Sequence, residues 1–365
     1  MSLGRGGLAA DLGQRWPLPA RARPIVGIGA GGIVNDAHLP AYRGAGLSVA
    51  GLYDVDAGRA RTTAARFGIP RAFATLEEAL AVPDAIFDVA LPPAALLATV
   101  VRLPEGSAAL LQKPMGVDLA EATAIRDACR RRRITAAVNF QLRFSPNMLA
   151  LRHAVDAGVL GRLVECDVRV NCRMPWELWP FMRTLARMEL NLHSIHYLDL
   201  VRSFLGEPGR VYARTVKHPD APELASSRTS AILDYGADVR CCLSVNHHHA
   251  YGLRHQASEL RLEGTEGAAV ATMGVNLDYP RGRKDALEIA RRGGDWEEIQ
   301  LAGSWFPDAF SGTMSNLQRF VAGEDPVLHT SVEDAWHTMA LVEACYESDR
   351  VGGTPVASDA RSPAC

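Results

Sequence analysis

The chain has 365 residues, 48% of them hydrophobic, and a formal net charge of −2, which suits a globular protein of about two domains. No excess of basic charge is present to attract nucleic acid or an anionic membrane, and no run reaches the ~18 apolar residues that a membrane span needs. Seven irregularly spaced cysteines without a C-x-x-C pair argue against a disulfide framework and a structural zinc site. We therefore expect a cytoplasmic protein with neither nucleic acid nor membrane as partner.

Composition and pattern divide the chain into four predicted parts. Residues 1–23 are rich in arginine and lack the apolar core of a secretory signal, so they are expected to form a flexible arm. Residues 24–145 are expected to form a first domain, and residues 146–356 to form a second domain whose C-terminal helices could pack back on the first. Residues 357–365 end the chain as a tail rich in Pro, Ser and Ala.

In the first domain, short apolar runs alternate with helical stretches. Strands are expected near residues 24–28, 47–53, 86–91, 108–112 and 135–138. The helix that follows the second strand should end at Gly68, and Asp118 should cap a helix running to Arg132. Strands that alternate with helices pair in parallel, so we predict an α/β, doubly wound Rossmann sheet.

After about residue 160 the pattern changes to consecutive strands joined by tight turns. The expected strands are 162–172, 211–216, 229–235, 239–246 and 259–262, and the expected helices are 189–205, 309–322 and 332–347. Consecutive strands with short connections pair in antiparallel fashion. The second domain is therefore predicted to be α+β with a mostly antiparallel sheet.

The first strand runs into a glycine-rich turn with the spacing G-x-G-x-x-G at Gly27, Gly29 and Gly32. The pattern is weak alone, but here it follows a predicted strand and opens a predicted helix, as dinucleotide binding requires. Gly27 would permit the turn, Gly29 would let the backbone approach a pyrophosphate, and Gly32 would allow close helix–strand packing. Asp54, at the end of the second strand, would bind the ribose hydroxyls and repel a 2′-phosphate, which favours NAD over NADP.

A second motif, Gln112-Lys113-Pro114, stands at the end of the strand near 108–112. Together with the fingerprint, with the runs 138–146 and 160–164 and with His196-Tyr197-Leu198-Asp199, it resembles the Gfo/Idh/MocA family of sugar and cyclitol oxidoreductases. The family has Glu where this chain has Gln112. The resemblance implies a Rossmann domain followed by a domain with a large open sheet, and often a cis bond before Pro114. It also implies a homodimer or homotetramer formed through that sheet.

The resemblance assigns catalysis to Lys113 and His196. An ammonium at Lys113 would hold the developing alkoxide, and the imidazole of His196 would take the hydroxyl proton. Ile33, Leu91, Pro92 and Gln112 join the glycines and Asp54 as expected cofactor contacts.

Two positions depart from the family. Leu192 stands where an Asp usually precedes the catalytic histidine by four residues, and Leu96 stands where a histidine often follows the strand ending near 91. These losses suggest an atypical subgroup.

Five further side chains are candidates for contact with a polyhydroxylated substrate, each with a structural alternative. They are Gln141, Arg143, Trp176, His193 and Asp199. Arg143 could bind substrate or form an ion pair, Trp176 could stack on a sugar or belong to the core, and Asp199 could orient His196 or brace the helix. His193, or Asn191 near it, could stand in for the missing Asp or play a plain structural role.

No metal site is expected. In the run His247-His248-His249 the first and third residues share one face of a strand, but no carboxylate or cysteine is matched to them. The leading functional prediction is an NAD-dependent dehydrogenase acting on a secondary alcohol or hemiacetal of a sugar, cyclitol or polyol. Two alternatives stay open: a redox-neutral enzyme that recycles tightly bound NAD, and a regulator that binds NAD without catalysis.

Overall fold

The computed structural model of the protein describes residues 12–355, and its N-terminal half contains a parallel sheet. Five strands pair in the order β2-β1-β3-β4-β5. They are Ile25–Ile28 (β1), Val49–Tyr53 (β2), Ile86–Val89 (β3), Ala108–Leu111 (β4) and Thr135–Val138 (β5). β1, β3 and β4 are buried at every position, as expected of strands covered on both faces. The predicted doubly wound parallel sheet is confirmed.

Five helices connect these strands. A π-helical turn, Val34–His38, leads into Leu39–Ala45 (α1), and the others are Ala57–Phe67 (α2), Leu76–Leu80 (α3), Pro93–Val100 (α4) and Leu119–Arg131 (α5). The Asp118 side chain caps α5 by accepting a hydrogen bond from the backbone of Glu121. Gly68 ends α2 in the left-handed conformation, with φ 67°. Both predicted helix ends are therefore in place.

The second domain contains an eight-stranded sheet with the order β13-β12-β11-β10-β6-β9-β8-β7. Its strands are Leu163–Asn171 (β6), Arg210–Val216 (β7), Arg228–Asp234 (β8), Arg240–Asn246 (β9), Ala257–Gly264 (β10), Gly267–Thr272 (β11), Ala286–Arg291 (β12) and Trp296–Glu298 (β13). Every neighbouring pair is antiparallel except β6 and β9, which run in parallel at its centre. The mostly antiparallel sheet is confirmed, and β11 to β13 extend it beyond the prediction.

Four helices complete the second domain and tie it to the first. They are Pro146–Asp156 (α6), Ile195–Leu205 (α7, preceded by the π-helical turn Leu190–Ser194), Ala309–Val321 (α8) and Val332–Val351 (α9). Met314 and Leu317 of α8 share a hydrophobic core with Ile25 and Leu110 of the first sheet. The C-terminal helices therefore pack back on the Rossmann domain. Within residues 12–355, no helix combines the length and apolarity needed to cross a bilayer.

Residues 12–23 differ from the flexible arm expected for residues 1–23. Leu12 is buried, and the Trp16 indole N–H donates to the Asp325 carboxylate over 2.9 Å. The Trp16 ring also lies edge-on to Phe144 at 5.2 Å, and the backbone N–H of Arg23 donates to Gln318. Because apolar and polar anchors alternate along it, this segment lies as a strap across the body of the protein. Residues 1–11 and the predicted tail, 357–365, lie outside the described residues.

Candidate active site

The glycine-rich turn lies between the end of β1 and the first helix. Gly29 has φ 107°, and a Cβ there would lie 2.4 Å from the carbonyl oxygen of Ala90. A Cβ at Gly31 would have no atom within 4 Å. The turn therefore presents bare backbone to open space next to a helix N-terminus, whose free N–H groups suit a pyrophosphate. These features fit a dinucleotide.

Two glycines act differently from the prediction. Gly27 is the glycine that makes the close packing contact, because a Cβ there would lie 2.5 Å from the side chain of Leu52 on β2. At Gly32 a Cβ would meet only the Asp36 carboxylate, at the ordinary contact distance of 3.8 Å. The expectation that Gly32 is needed for close helix–strand packing is therefore wrong, because the strand on which the turn packs is reached earlier, at Gly27.

Asp54 stands at the end of β2 and is buried. Its carboxylate accepts hydrogen bonds from the backbone of Ala30, at 2.8 Å, and of Asp56, at 2.9 Å. The guanidinium of Arg59 lies 3.6 Å away, on α2. The acid thus holds the glycine turn against β2.

The other predicted cofactor contacts border the same turn or the strand edge beside it. The Leu91 side chain lies 3.3 Å from the position of a Cβ on Gly29, and Pro92 caps α4. Ile33 lies in the first turn of the helix that opens at Gly32. The Gln112 side-chain oxygen accepts a hydrogen bond from the Lys113 backbone over 3.1 Å.

Lys113 follows β4, and the bond between it and Pro114 is cis. Its ammonium donates to the backbone oxygen of Leu192 over 2.7 Å, in the π-helical turn that precedes α7. Burial lowers the pKa of Lys113 to about 8. Because no carboxylate pairs with this ammonium among the described residues, two of its three N–H groups remain available for a substrate oxygen.

His193 lies in the π-helical turn that Lys113 reaches, and His196 follows it in the first turn of α7. His196 is buried, its ring lies edge-on to Trp305 at 5.6 Å, and its Nδ1 makes no hydrogen bond within residues 12–355. Burial and the charge of Lys113 lower the pKa of His196 well below 6.5. His193 is half-buried, and burial, His247 and Lys113 lower its pKa likewise. Both rings are therefore neutral near pH 7.

Arg143 and Asp199 are placed elsewhere. Their side chains form a two-pronged ion pair, with one N–O distance of 2.5 Å and another of 2.6 Å, and both are largely buried. Arg143 also donates to Asp334, and the Thr338 hydroxyl donates to Asp199. The structure thus supports the ion-pair interpretation of Arg143 and the bracing role of Asp199. Asp199 makes no hydrogen bond to His196, whose Nδ1 is unpartnered.

Gln141 and Trp176 are buried, and each has a polar atom without a partner. The Gln141 Oε1 and the Trp176 Nε1 make no hydrogen bond within the described part of the chain. Such atoms cost about 1–3 kcal/mol each when buried unpaired, so a ligand that pairs with them gains binding energy. Leu96, by contrast, is fully buried in the main hydrophobic core and contributes no polar group.

Three residues of this region were not predicted as a group: Cys172, Glu189 and His247. Because β6 and β9 run in parallel with Asn171 opposite Asn246, the residues that follow, Cys172 and His247, leave the sheet side by side. His247 Nδ1 lies 3.5 Å from the Cys172 sulfur, and its Nε2 lies 3.5 Å from the Glu189 carboxylate. Burial alone would lower the pKa of His247, but Cys172 and Glu189 raise it to about 9.

His248 points away from His247 and stacks on His218, with ring centroids 3.9 Å apart. Asp220 brings a third potential ligand atom within 4.8 Å of these two rings. The Asp220 side chain is exposed, however, and nearly parallel rings are a packing contact. We assign no metal ion to this group.

Comparison with known proteins agrees with this geometry. Residues 24–140 match the model of the oxidoreductase family with an NAD-binding Rossmann fold, and residues 148–270 match the GFO/IDH/MocA C-terminal domain. A D-apiose dehydrogenase of Paraburkholderia graminis is 30% identical over 88% of this chain and 87% of that protein. D-xylose 1-dehydrogenase (NADP(+)) 2 of Haloferax volcanii is 27% identical over 89% and 97%.

Among solved structures, an oxidoreductase from Agrobacterium radiobacter in complex with NAD+, L-tartaric acid and magnesium superposes with a TM-score of 0.76. That comparison has 22% identity and covers 90% of this chain and 97% of the other, so it shows the shared fold. With both of its domains matched in sequence and in architecture, the chain belongs to the Gfo/Idh/MocA family of oxidoreductases.

Proposed function

We propose that the protein is an NAD-dependent dehydrogenase that oxidises a secondary alcohol or hemiacetal of a sugar. The observation that carries this proposal is the Lys113 ammonium bonded to the π-helical turn that bears His193 and leads into α7 at His196. Two of the curated relatives are dehydrogenases of five-carbon sugars, D-apiose and D-xylose. Sugars of that size are therefore the first substrates to test.

The side chains divide the chemistry between them. When bound, NAD supplies the hydride acceptor. His196, neutral near pH 7, takes the proton of the substrate hydroxyl, and Lys113 donates to the oxygen as negative charge develops on it. The buried, unpartnered atoms of Gln141 and Trp176 supply polar groups for the remaining hydroxyls. A polyhydroxylated substrate pairs with more of these groups than a simple alcohol does.

The decisive experiment measures formation of reduced cofactor at 340 nm with NAD and NADP across aldopentoses, aldohexoses, cyclitols and sugar acids. His196→Asn is the test variant, and His255→Gln, on an exposed histidine, is its matched control. We expect turnover of a sugar with NAD, reduced about 10²- to 10⁴-fold in His196→Asn and unchanged in the control. Binding of NAD without net turnover of any sugar would contradict the proposal and favour a recycled cofactor or a regulator.

The preference for NAD rests on Asp54. Replacing it by Ser removes the negative charge that would repel a 2′-phosphate and frees Arg59, 3.6 Å away, to pair with that phosphate. We expect Asp54→Ser to shift the ratio of kcat/KM for NADP over NAD upward by at least about tenfold, or ~1.4 kcal/mol. Asp56→Ser is the control, since Ser also caps helices. An unchanged ratio in Asp54→Ser would refute the role of Asp54.

We also propose that the open face of the second sheet is covered in a homodimer or homotetramer. On that face Tyr212 of β7 lies opposite Ile232 of β8, which lies opposite Cys242 of β9. Tyr212 and Ile232 are more than half exposed in the single chain, and apolar side chains on an exposed sheet favour association. Light scattering on the purified protein tests this, and a monomeric mass would refute it.

A further inference from the structure

The group formed by Glu189, His193 and His247 adjoins the reactive lysine and is not used by the reaction as derived above. Glu189 is fully buried. It accepts hydrogen bonds from the hydroxyls of Ser194 and Thr229 and faces His247 at 3.5 Å. A buried carboxylate is stable only when it is paired, so this arrangement places a fixed imidazolium at His247, between the carboxylate and His193.

His193 lies against that imidazolium. The two ring centroids are 4.6 Å apart, and Trp176 packs edge-on against both, at 5.5 Å from His193 and 6.2 Å from His247. On its other side, the Lys113 ammonium donates to the Leu192 carbonyl, which belongs to the peptide unit that His193 completes. His193 therefore has the His247 ring against its own ring and the Lys113 ammonium bonded to the carbonyl of its own peptide unit, and both groups lower its pKa.

The same turn lacks a group that the chemistry would use. Leu192 can neither orient a substrate hydroxyl nor exchange a proton, whereas His193 can do both. The His193 Nδ1 is buried and has no hydrogen-bond partner in the described part of the chain, while other atoms of the residue remain partly exposed. Its hydrogen-bonding capacity is thus unused within the protein.

We propose that His193 binds a substrate hydroxyl next to the reacting carbon, in place of a carboxylate at position 192, and that Glu189 and His247 are positioning residues that keep its imidazole neutral and oriented. This inference rests on the proposed function for its substrate. His193 accepts the hydrogen of that hydroxyl, while His196 remains the base for the hydroxyl that is oxidised. The proton balance of the reaction is unchanged.

The groups that face this cluster are few. His193 faces Lys113, His196 and His247, the last from the end of β9. His247 faces Cys172, from β6, and Glu189. The hydroxyls and thiol within electrostatic reach of Glu189 are those of Tyr197 on α7 and of Cys345 and Tyr346 on α9.

Glu189→Gln tests the arrangement with little change of shape, since the amide retains partners for the two hydroxyls. Without the carboxylate, burial disfavours the cation on His247 and its pKa falls from about 9. His193 then loses a neighbouring charge at about 5 Å, so we expect its pKa to rise by at least about half a unit. NMR titration of the imidazole signals, on the protein without cofactor, measures the pKa values of His193 and His247 directly. His248→Asn, at the next residue but on the other side of the strand, is the matched control.

Kinetics supply the second measurement. The acid limb of kcat/KM should move to higher pH in Glu189→Gln, and His193→Asn should raise KM for the sugar about tenfold, the loss of one hydrogen bond of ~1.4 kcal/mol. Unshifted titrations of His193 and His247 in a folded Glu189→Gln protein, or an unchanged KM in His193→Asn, would overturn the proposal. If the unaltered protein oxidises no sugar, the proposed function fails, while the NMR titration still decides the positioning role.

Discussion

Two buried polar groups lie one turn apart on α7, and they differ in how completely they are paired. The Asp199 carboxylate accepts hydrogen bonds from the guanidinium of Arg143 and the hydroxyl of Thr338. Around His196, the ring nitrogen Nδ1 is unpaired and the nearest cation, Lys113, has a single carbonyl as its partner. We call the first group closed, because its hydrogen-bond partners lie within the protein, and the second group open, because it lacks them.

This difference separates stability from activity. A buried network whose members are all paired holds the fold together, whereas a buried group left unpaired lowers stability and persists where a ligand completes it. His196 and Asp199 are three residues apart and were both candidates for the same site. Their partners, rather than their spacing, place Asp199 in a structural network and leave His196 available for the proposed reaction.

Lys113→Met should show the largest effect on activity. It removes the cation while keeping the apolar stem, so we expect turnover to fall about 10²- to 10⁴-fold. The melting temperature at pH 7 should stay the same or rise, because burial disfavours the Lys113 cation. Lys284→Met, on an exposed lysine, is the control. A strongly lowered melting temperature in Lys113→Met would place Lys113 in the closed group.

Arg143→Met should do the reverse. It leaves the Arg202 guanidinium, 3.9 Å away, as the remaining counter-charge of the buried Asp199, and losing the Arg143 partner should cost about 3 kcal/mol of unfolding free energy. Denaturant unfolding measures this loss, and the folded fraction should keep most of its turnover. Arg162→Met breaks an exposed pair with Asp238 and should cost less than about 1 kcal/mol. Full stability with lost turnover in Arg143→Met would contradict the assignment of Arg143 to the closed group.

The pH dependence gives the smallest and most specific effect. The pKa of His196 lies well below 6.5 and that of Lys113 at about 8, so kcat/KM for oxidation should be flat near pH 7 and decline above about 8 as the ammonium loses its proton. The folded pKa of Lys113 is below its usual value of 10.5. The destabilisation caused by its buried charge therefore decreases as the pH rises from about 8 to 10.5. Turnover that rises steadily to pH 9.5 would instead make Lys113 the base.

Much of the fold could be predicted because each strand of the first sheet is a short apolar run next to a recognisable helix end, as at Gly68 and Asp118. The later strands carry weaker signals. β11, Gly267–Thr272, is made of small residues, and β13, Trp296–Glu298, is exposed at every position. Their pairing depends on the strands beside them, which no local pattern reveals. The strap at residues 12–23 was missed because its anchors, such as Asp325, lie at the other end of the chain.

The site was predictable where a motif fixes local backbone, as at Gly29 and Lys113, and less so where distant side chains converge. Nothing local distinguishes Arg143 as an ion-pair partner from Arg143 as a substrate ligand, since Asp199 and Asp334 reach it from two other helices. His247 was weighed only as a metal ligand beside His248. Its actual neighbours, Cys172 and Glu189, are remote in sequence and are brought to it by the sheet.

The parallel pairing of β6 with β9 also affects the order in which contacts form while the protein folds. These strands are neighbours in space, but β7 and β8 lie between them along the chain. Contacts of such long sequence separation form late, because the chain must lose the entropy of closing a large loop before these contacts can stabilise it. During refolding, the Cys172–His247–Glu189 contacts should therefore appear after most of the helical signal has returned.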